Sequence, residues 1–212
     1  MDVSGRQDSL AERLYNFRQT DAWIFSTMLV SACLSLVASF VLSTNAVRLA
    51  ANPQYPLPCD INDVVSCGTV AQSWQAALFG FPNAFLGLVA EPVVITIAIA
   101  ALAKVRFPRG FMFAAQIVYT IGFLFAYWLY FQAAFVIKAL CPWCLLVTLS
   151  TTLVFASLTH VNIRDANLFL PRSLDKAAKA GLRIGVDLLI VILILAGVTT
   201  IALAKYGSAL FQ

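Results

Sequence analysis

Charge is scarce in this chain. Only 11% of its 212 residues are Asp, Glu, Lys or Arg, and there is one histidine, His160. A single histidine excludes a bis-histidine haem held within the chain. No glycine-rich nucleotide-binding loop is present, and no stretch shows the strict apolar–polar alternation of a half-buried strand. Hydrophobic residues make up 61% of the chain, above the roughly half found in a soluble domain. Most of the chain therefore belongs in lipid.

Five stretches are long and apolar enough to cross a hydrocarbon core of about 30 Å. They run over Ala22–Ala46, Ala84–Ala103, Phe111–Val136, Leu145–Thr159 and Val186–Ala204. Backbone amides in hydrocarbon must be satisfied within their own segment, so the spans are helices. The expected fold class is an all-α integral membrane protein forming one domain over residues 1–212. The first span is too long for a signal-peptide core and reads as a retained anchor.

Eleven of the fourteen Lys and Arg residues fall on one side of these spans. Arg6, Arg13 and Arg18 lie in the tail over residues 1–21. Lys104, Arg106 and Arg109 follow span two, and Arg164, Arg172, Lys176, Lys179 and Arg183 follow span four. Basic loops mark the cytoplasmic face. The expected placement is a multi-pass protein of the plasma or bacterial inner membrane, with the N-terminus cytoplasmic and the C-terminus outside. The basic loops serve topology and anionic headgroups, and nothing else in the sequence points to nucleic acid.

That orientation puts the loop Val47–Asn83 and the run Cys141-Pro-Trp-Cys144 outside. Four of the five cysteines then lie where disulfides persist: Cys59 and Cys67 in CDINDVVSC, and the tight pair Cys141 and Cys144. Cys33 lies inside the first span and reads as a small apolar residue. A C-x-x-C is a redox geometry, because the spacing brings two sulfurs together across one turn. If Cys141 begins a helix, the unpaired amides and the helix dipole favour its thiolate, and Pro142 suits the first turn. Two structural disulfides are the plainer reading. A four-cysteine zinc site is disfavoured by the C-x7-C spacing and the lack of a nearby histidine.

After Cys67, Val70, Trp74 and Ala77/Leu78 recur at helical spacing, which predicts an amphipathic helix of two or three turns lying in the interface. It is read either as an anchor or as a lid. Gly80 and Pro82 end it. Asn83, Gly87 and Glu91 then share one face of span two; Gly87 permits close approach of a ligand or a helix. Glu91 is an acid well inside a span, a functional candidate by its position, or else a carboxyl bonded to a neighbouring helix.

C59-DINDVVS-C67-G, the FGFPNAFLG run around Asn83 and C141-PW-C144 together resemble vitamin K epoxide reductase homologues of the bacterial type. The resemblance covers spans one to four. It implies a four-helix transmembrane bundle around a quinone, with a peripheral fifth helix. The fifth span is similar to the segment that leads, in some members, into a fused thioredoxin-like domain, which this sequence is expected to lack. Cys144 is implied to face the quinone, Cys141 to exchange with the loop, Cys67 to be the inner shuttle and Cys59 the outer one. Asn83 matches the residue that hydrogen-bonds a quinone carbonyl, and Ser73 a small hydroxyl residue near the quinone. At Thr148 animal members have a tyrosine beside the ligand, a departure that suits a plain quinone better than an epoxide.

The function implied is a membrane thiol oxidoreductase. It reoxidises a secreted or membrane-anchored thioredoxin-fold protein of DsbA type and passes electrons through two cysteine pairs to a quinone of menaquinone, ubiquinone or vitamin K type. Glu91 or water at the outer surface is the candidate proton source. The alternatives are an enzyme whose main product is the reduced quinone, and a non-catalytic subunit held by disulfides. A disulfide generator of the DsbB type has its tight and spaced cysteine pairs in the opposite order.

Overall fold

The computed structural model describes residues 12–13, 15–62 and 64–210. Arg6 of the basic tail lies outside them. Helix α1 spans Asp21–Ala51, α2 Cys67–Ala71, α3 Ala84–Leu102, α4 Arg109–Phe131, α5 Pro142–Arg164, α6 Arg172–Ile184 and α7 Val186–Leu210. A 3-10 turn over Trp74–Ala77 joins α2 to α3, and a π-helical segment over Gln132–Ile137 extends α4. Among the described residues, α1, α3, α4 with its π extension, α5 and α7 are the five helices apolar and long enough to cross a membrane. The chain is a multi-pass, all-helical membrane protein.

Local chemistry sets the helix ends. Thr20 caps α1, its side chain accepting the Trp23 N–H at 3.2 Å, and α1 stops at Ala51, two residues before Pro53. Pro142 occupies the first turn of α5, where its missing N–H costs nothing. Gly185, at φ +80°, closes α6 in the left-handed conformation that glycine adopts without strain. The sequence reading treats the basic stretch after span four as a loop. Residues 172–184 instead form the amphipathic helix α6, with Leu182 buried.

Helix α1 is the centre of the bundle and packs along both α3 and α5, while α4 packs on α5. Ser31, Ala32, Ser35 and Ser39 of α1 are buried, and such small side chains let helix backbones approach closely in lipid. A Cβ on Gly87 of α3 would stand 2.1 Å from Ser39 Oγ. Gly87 is therefore a helix-crossing residue. The apolar core runs from Ile24, Phe25 and Met28 of α1 through Val94 and Ile97 of α3 to Val154, Leu158 and Val161 of α5.

The fifth spanning helix, α7, sits on the outside of this bundle against α5 and the π segment. A π turn frees carbonyls from the α-helical ladder. Tyr206 Oη donates to Ala134 O at 3.1 Å, and Lys205 Nζ to the same oxygen at 3.1 Å. At its other end Asp187 takes both oxygens onto Arg18, at 2.8 and 2.9 Å, and pairs with His160 Nδ1 at 2.7 Å.

Candidate redox site

The sulfur chemistry is assembled by two backbone segments stitched side by side. Val65 and Leu140 form an isolated parallel bridge. Ser66 N–H donates to Leu140 O at 3.0 Å, and Leu140 N–H donates to Val64 O at 2.8 Å. Val65 is wholly buried there. Cys67 follows the bridge on one segment and Cys141 follows it on the other, so the same two hydrogen bonds bring both cysteines together.

Each cysteine also begins a helix. Cys67 opens α2, capped by Ser66, whose Oγ accepts the Thr69 N–H at 3.0 Å. Asp60 Oδ1 accepts both Ser66 Oγ–H and the Gly68 N–H, each at 2.8 Å, which folds the loop back on itself. A Cβ on Gly68 would meet Asp60 Oδ2 at 2.9 Å, so a larger residue there would push this carboxylate aside. Cys59 and Cys67 are joined in a disulfide. Cys141 is the N-cap of α5, and its Sγ accepts the Cys144 N–H at 3.3 Å.

The Cys141 Sγ lies 3.5 Å from Cys67 Sγ. Its thiol is held below the ordinary thiol range, first by a hydrogen bond from the Cys144 thiol and then by the Cys144 and Trp143 backbone N–H groups. Burial and the charge of Asp60 oppose this. Cys141 thus ionises more readily than an ordinary thiol, and it stands at contact distance from a disulfide sulfur. Cys144 is half-buried and free. Cys33 is also free and lies exposed on α1, away from the other four.

Behind the sulfurs lies a cavity of about 590 Å³, lined by Cys67, Cys141, Cys144, Ser73, Asn83, Glu91 and Thr148 together with apolar residues of α1, α3, α4 and α5. Of the eight residues expected at the site, seven line this one space. Cys59 does not line it; it packs behind, with Leu49 and Leu57, and Asn45 Nδ2 donates to its sulfur at 3.9 Å. The size and the mostly apolar lining suit a lipid-soluble organic ring.

The roof is built differently from the expected amphipathic helix. The segment breaks into α2 and the 3-10 turn, because Ser73 adopts an extended conformation at ψ 149° and its Oγ donates back to Val70 O at 2.7 Å. Asn83 holds this roof down: its Nδ2 donates to Gln75 O at 2.6 Å and its Oδ1 accepts the Leu78 N–H at 3.2 Å. One amide hydrogen of Asn83 remains beyond these two bonds. Trp74 is exposed and stacks edge-on against Trp128 of α4, at 6.2 Å between ring centres. The Thr148 hydroxyl is turned into its own helix, donating to Cys144 O at 3.0 Å.

At the far end of the cavity Glu91 is buried. Its Oε1 accepts Ser35 Oγ–H at 2.9 Å and Tyr119 Oη–H at 3.4 Å. Sequence reasoning missed both partners. Ser31, Ser35, Ser39 and Ser43 recur every fourth residue of α1, a stripe that marks a close-packed polar face and was there to be read. Nothing in the sequence marks Tyr119.

A sequence model of the vitamin K epoxide reductase family matches residues 26–159, which takes in most of α1, all of α2 to α4, most of α5 and every residue named at the site. No curated protein matches the chain significantly.

Proposed function

The chain belongs to the vitamin K epoxide reductase family, a family of membrane redox enzymes that use quinones, and we propose that this member moves electrons from an extracytoplasmic thioredoxin-fold protein of DsbA type to a membrane quinone. The observation that carries the reading is the 3.5 Å approach of Cys141 to Cys67 within the Cys59–Cys67 disulfide. The basic loops favour the orientation in which all four cysteines face outside.

The relay consists of thiolate exchanges, each conserving electrons. A thiolate of the reduced partner attacks Cys59 of the loop disulfide, releasing Cys67 as thiolate, and the partner's second thiol releases Cys59. Cys67 then attacks Cys141 of an oxidised Cys141–Cys144 pair and releases Cys144. Cys59 closes back on Cys67, which leaves the loop oxidised and the inner pair as two thiols. That is the redox state of the structure, with Cys141 and Cys144 free beside the cavity.

A quinone supplies an acceptor for two electrons and two protons. Cys144 borders the space it would fill, Asn83 has one amide hydrogen to offer it, and the apolar walls exclude water. The inner pair gives up two electrons and two protons as its own disulfide forms. Thr148 spends its hydroxyl proton on Cys144 O and offers the cavity only oxygen lone pairs.

Purified protein in lipid nanodiscs, given a reduced DsbA-type protein and a short-chain ubiquinone, should yield one quinol for each partner disulfide formed. Cys144→Ala should abolish quinol formation. Undiminished turnover in that variant would refute the relay.

A further inference from the structure

We propose that Glu91 is the carboxylic acid that protonates the deeper oxygen of the quinone, with Ser35 and Tyr119 fixing which of its oxygens carries the proton. This rests on the quinone reading above and adds to it a catalytic residue on α3.

The geometry distinguishes the two carboxyl oxygens. Ser35 and Tyr119 both present hydroxyl donors to Oε1. Oε2 is buried and has no partner among the described residues. Two donors on one oxygen make Oε1 the carbonyl of an acid and leave Oε2 as its O–H. A buried polar atom without a partner is costly to keep, so its retention beside a cavity marks a place where a ligand completes the bond.

The surroundings agree. Among the described residues, the polar groups bonded to Glu91 are the Ser35 hydroxyl from α1 and the Tyr119 phenol from α4; the ionisable groups that line the same cavity are Tyr119, Tyr130, Cys141 and Cys144. No Lys, Arg or Asp among the described residues lines it. A carboxylate left there would be an unpaired charge in an apolar site, so the group holds a proton until an acceptor takes it.

Position fits the task. Asn83, the N-cap of α3, and Glu91 lie eight residues apart, about 12 Å along the helix axis, and both line the cavity. A para-quinone ring between them would meet a donor at each carbonyl. Proton balance closes without another reagent. The two thiols lose two protons as their disulfide forms; Glu91 delivers one proton to the deeper oxygen and recovers one of the two released, and the other released proton reaches the oxygen nearer Asn83.

The test compares Glu91→Gln, Glu91→Asp and the parent protein in nanodiscs with a short-chain ubiquinone. Gln keeps a hydrogen-bond donor but has no transferable acidic proton. The expected result is an unchanged KM for quinone with kcat lowered about 10²- to 10⁴-fold, partial recovery in Glu91→Asp, and unaltered exchange between Cys67 and Cys141 in all three. Infrared difference spectra taken as the quinone is reduced should show a protonated-carboxyl C=O band in the parent protein that changes on reduction and is missing from Glu91→Gln. Equal kcat in parent and Glu91→Gln, or no carboxyl band tied to reduction, overturns the assignment to Glu91 while leaving the relay intact. Absence of quinone reduction in the parent protein overturns both.

Discussion

Cys141 Sγ stands 3.5 Å from Cys67 Sγ, and Cys67 is the half of the loop disulfide that lines the cavity. The asymmetry assigns directions to the two loop cysteines. Cys67 faces inward to the tight pair, and Cys59 lies on the side of the loop that carries Pro53, Pro56 and Pro58. The spacing is within the roughly 3–3.5 Å at which reacting atoms are poised. It depends on the Val65–Leu140 bridge more than on the loop's own fold, because those two hydrogen bonds fix both segments at once.

Cys141 should titrate below an ordinary thiol, which ionises near pH 8.5. The sign follows from its causes: the Cys144 thiol and two backbone N–H groups stabilise the thiolate, and Asp60 destabilises it. Thiolate absorbance followed against pH should therefore rise at lower pH than for free cysteine. Cys144→Ala should move that rise to higher pH, since it removes the largest stabilising contact. Asp60→Asn should move it to lower pH. The rate at which Cys141 attacks the loop disulfide, the reverse of the relay step, should grow with pH up to the Cys141 midpoint and level off above it.

Gly87 should tolerate no side chain while Ser39 faces it. Gly87→Ala places a Cβ 2.1 Å from Ser39 Oγ and 2.8 Å from Ser39 Cβ, an overpacking that costs about 1–3 kcal/mol. Thermal unfolding of Gly87→Ala in detergent should show a lowered Tm. Ser39→Gly, by removing both clashing atoms, should restore most of the loss in the double variant, whereas Ser39→Ala should restore little.

The five spans were legible in the sequence because lipid imposes a minimum apolar length, and each expected span lies within an observed helix or matches it to a residue. The start of α5 was legible too, since Pro142 and the C-x-x-C spacing both demand a helix N-terminus. The roof was not. Val70, Trp74 and Leu78 keep helical spacing, but Ser73 satisfies Val70 O with its own hydroxyl and breaks the helix. Helical periodicity records which face is apolar and is blind to such a local competitor. The π segment was equally hidden, because its cause is tertiary: Tyr206 and Lys205, some seventy residues later, bond the carbonyl it frees. Gly87 was readable as a close approach, yet whether to a ligand or to a helix only the packing against Ser39 decides.

The fifth spanning helix is attached where it can affect the chemistry. Leu140, just before Cys141, packs with Ala202 and Tyr206 of α7, and Tyr206 bonds the π segment leading to that residue. Tyr206→Phe should cost about 1 kcal/mol. Amide hydrogen exchange should quicken over residues 132–140 and remain unchanged in α3. Quickening across the whole bundle would mean that α7 supports the fold generally and not the approach to Cys141.

The most direct test of the relay is the sulfur pairing itself. Cys59→Ser/Cys144→Ser leaves Cys67 and Cys141 as the available pair, and mild oxidation followed by peptide mass spectrometry should find them joined in most molecules. Cys59→Ser/Cys141→Ser leaves Cys67 with Cys144, and little bond between them should form. A Cys67–Cys144 disulfide in the second protein at the yield of Cys67–Cys141 in the first, or no Cys67–Cys141 disulfide at all, would contradict the account.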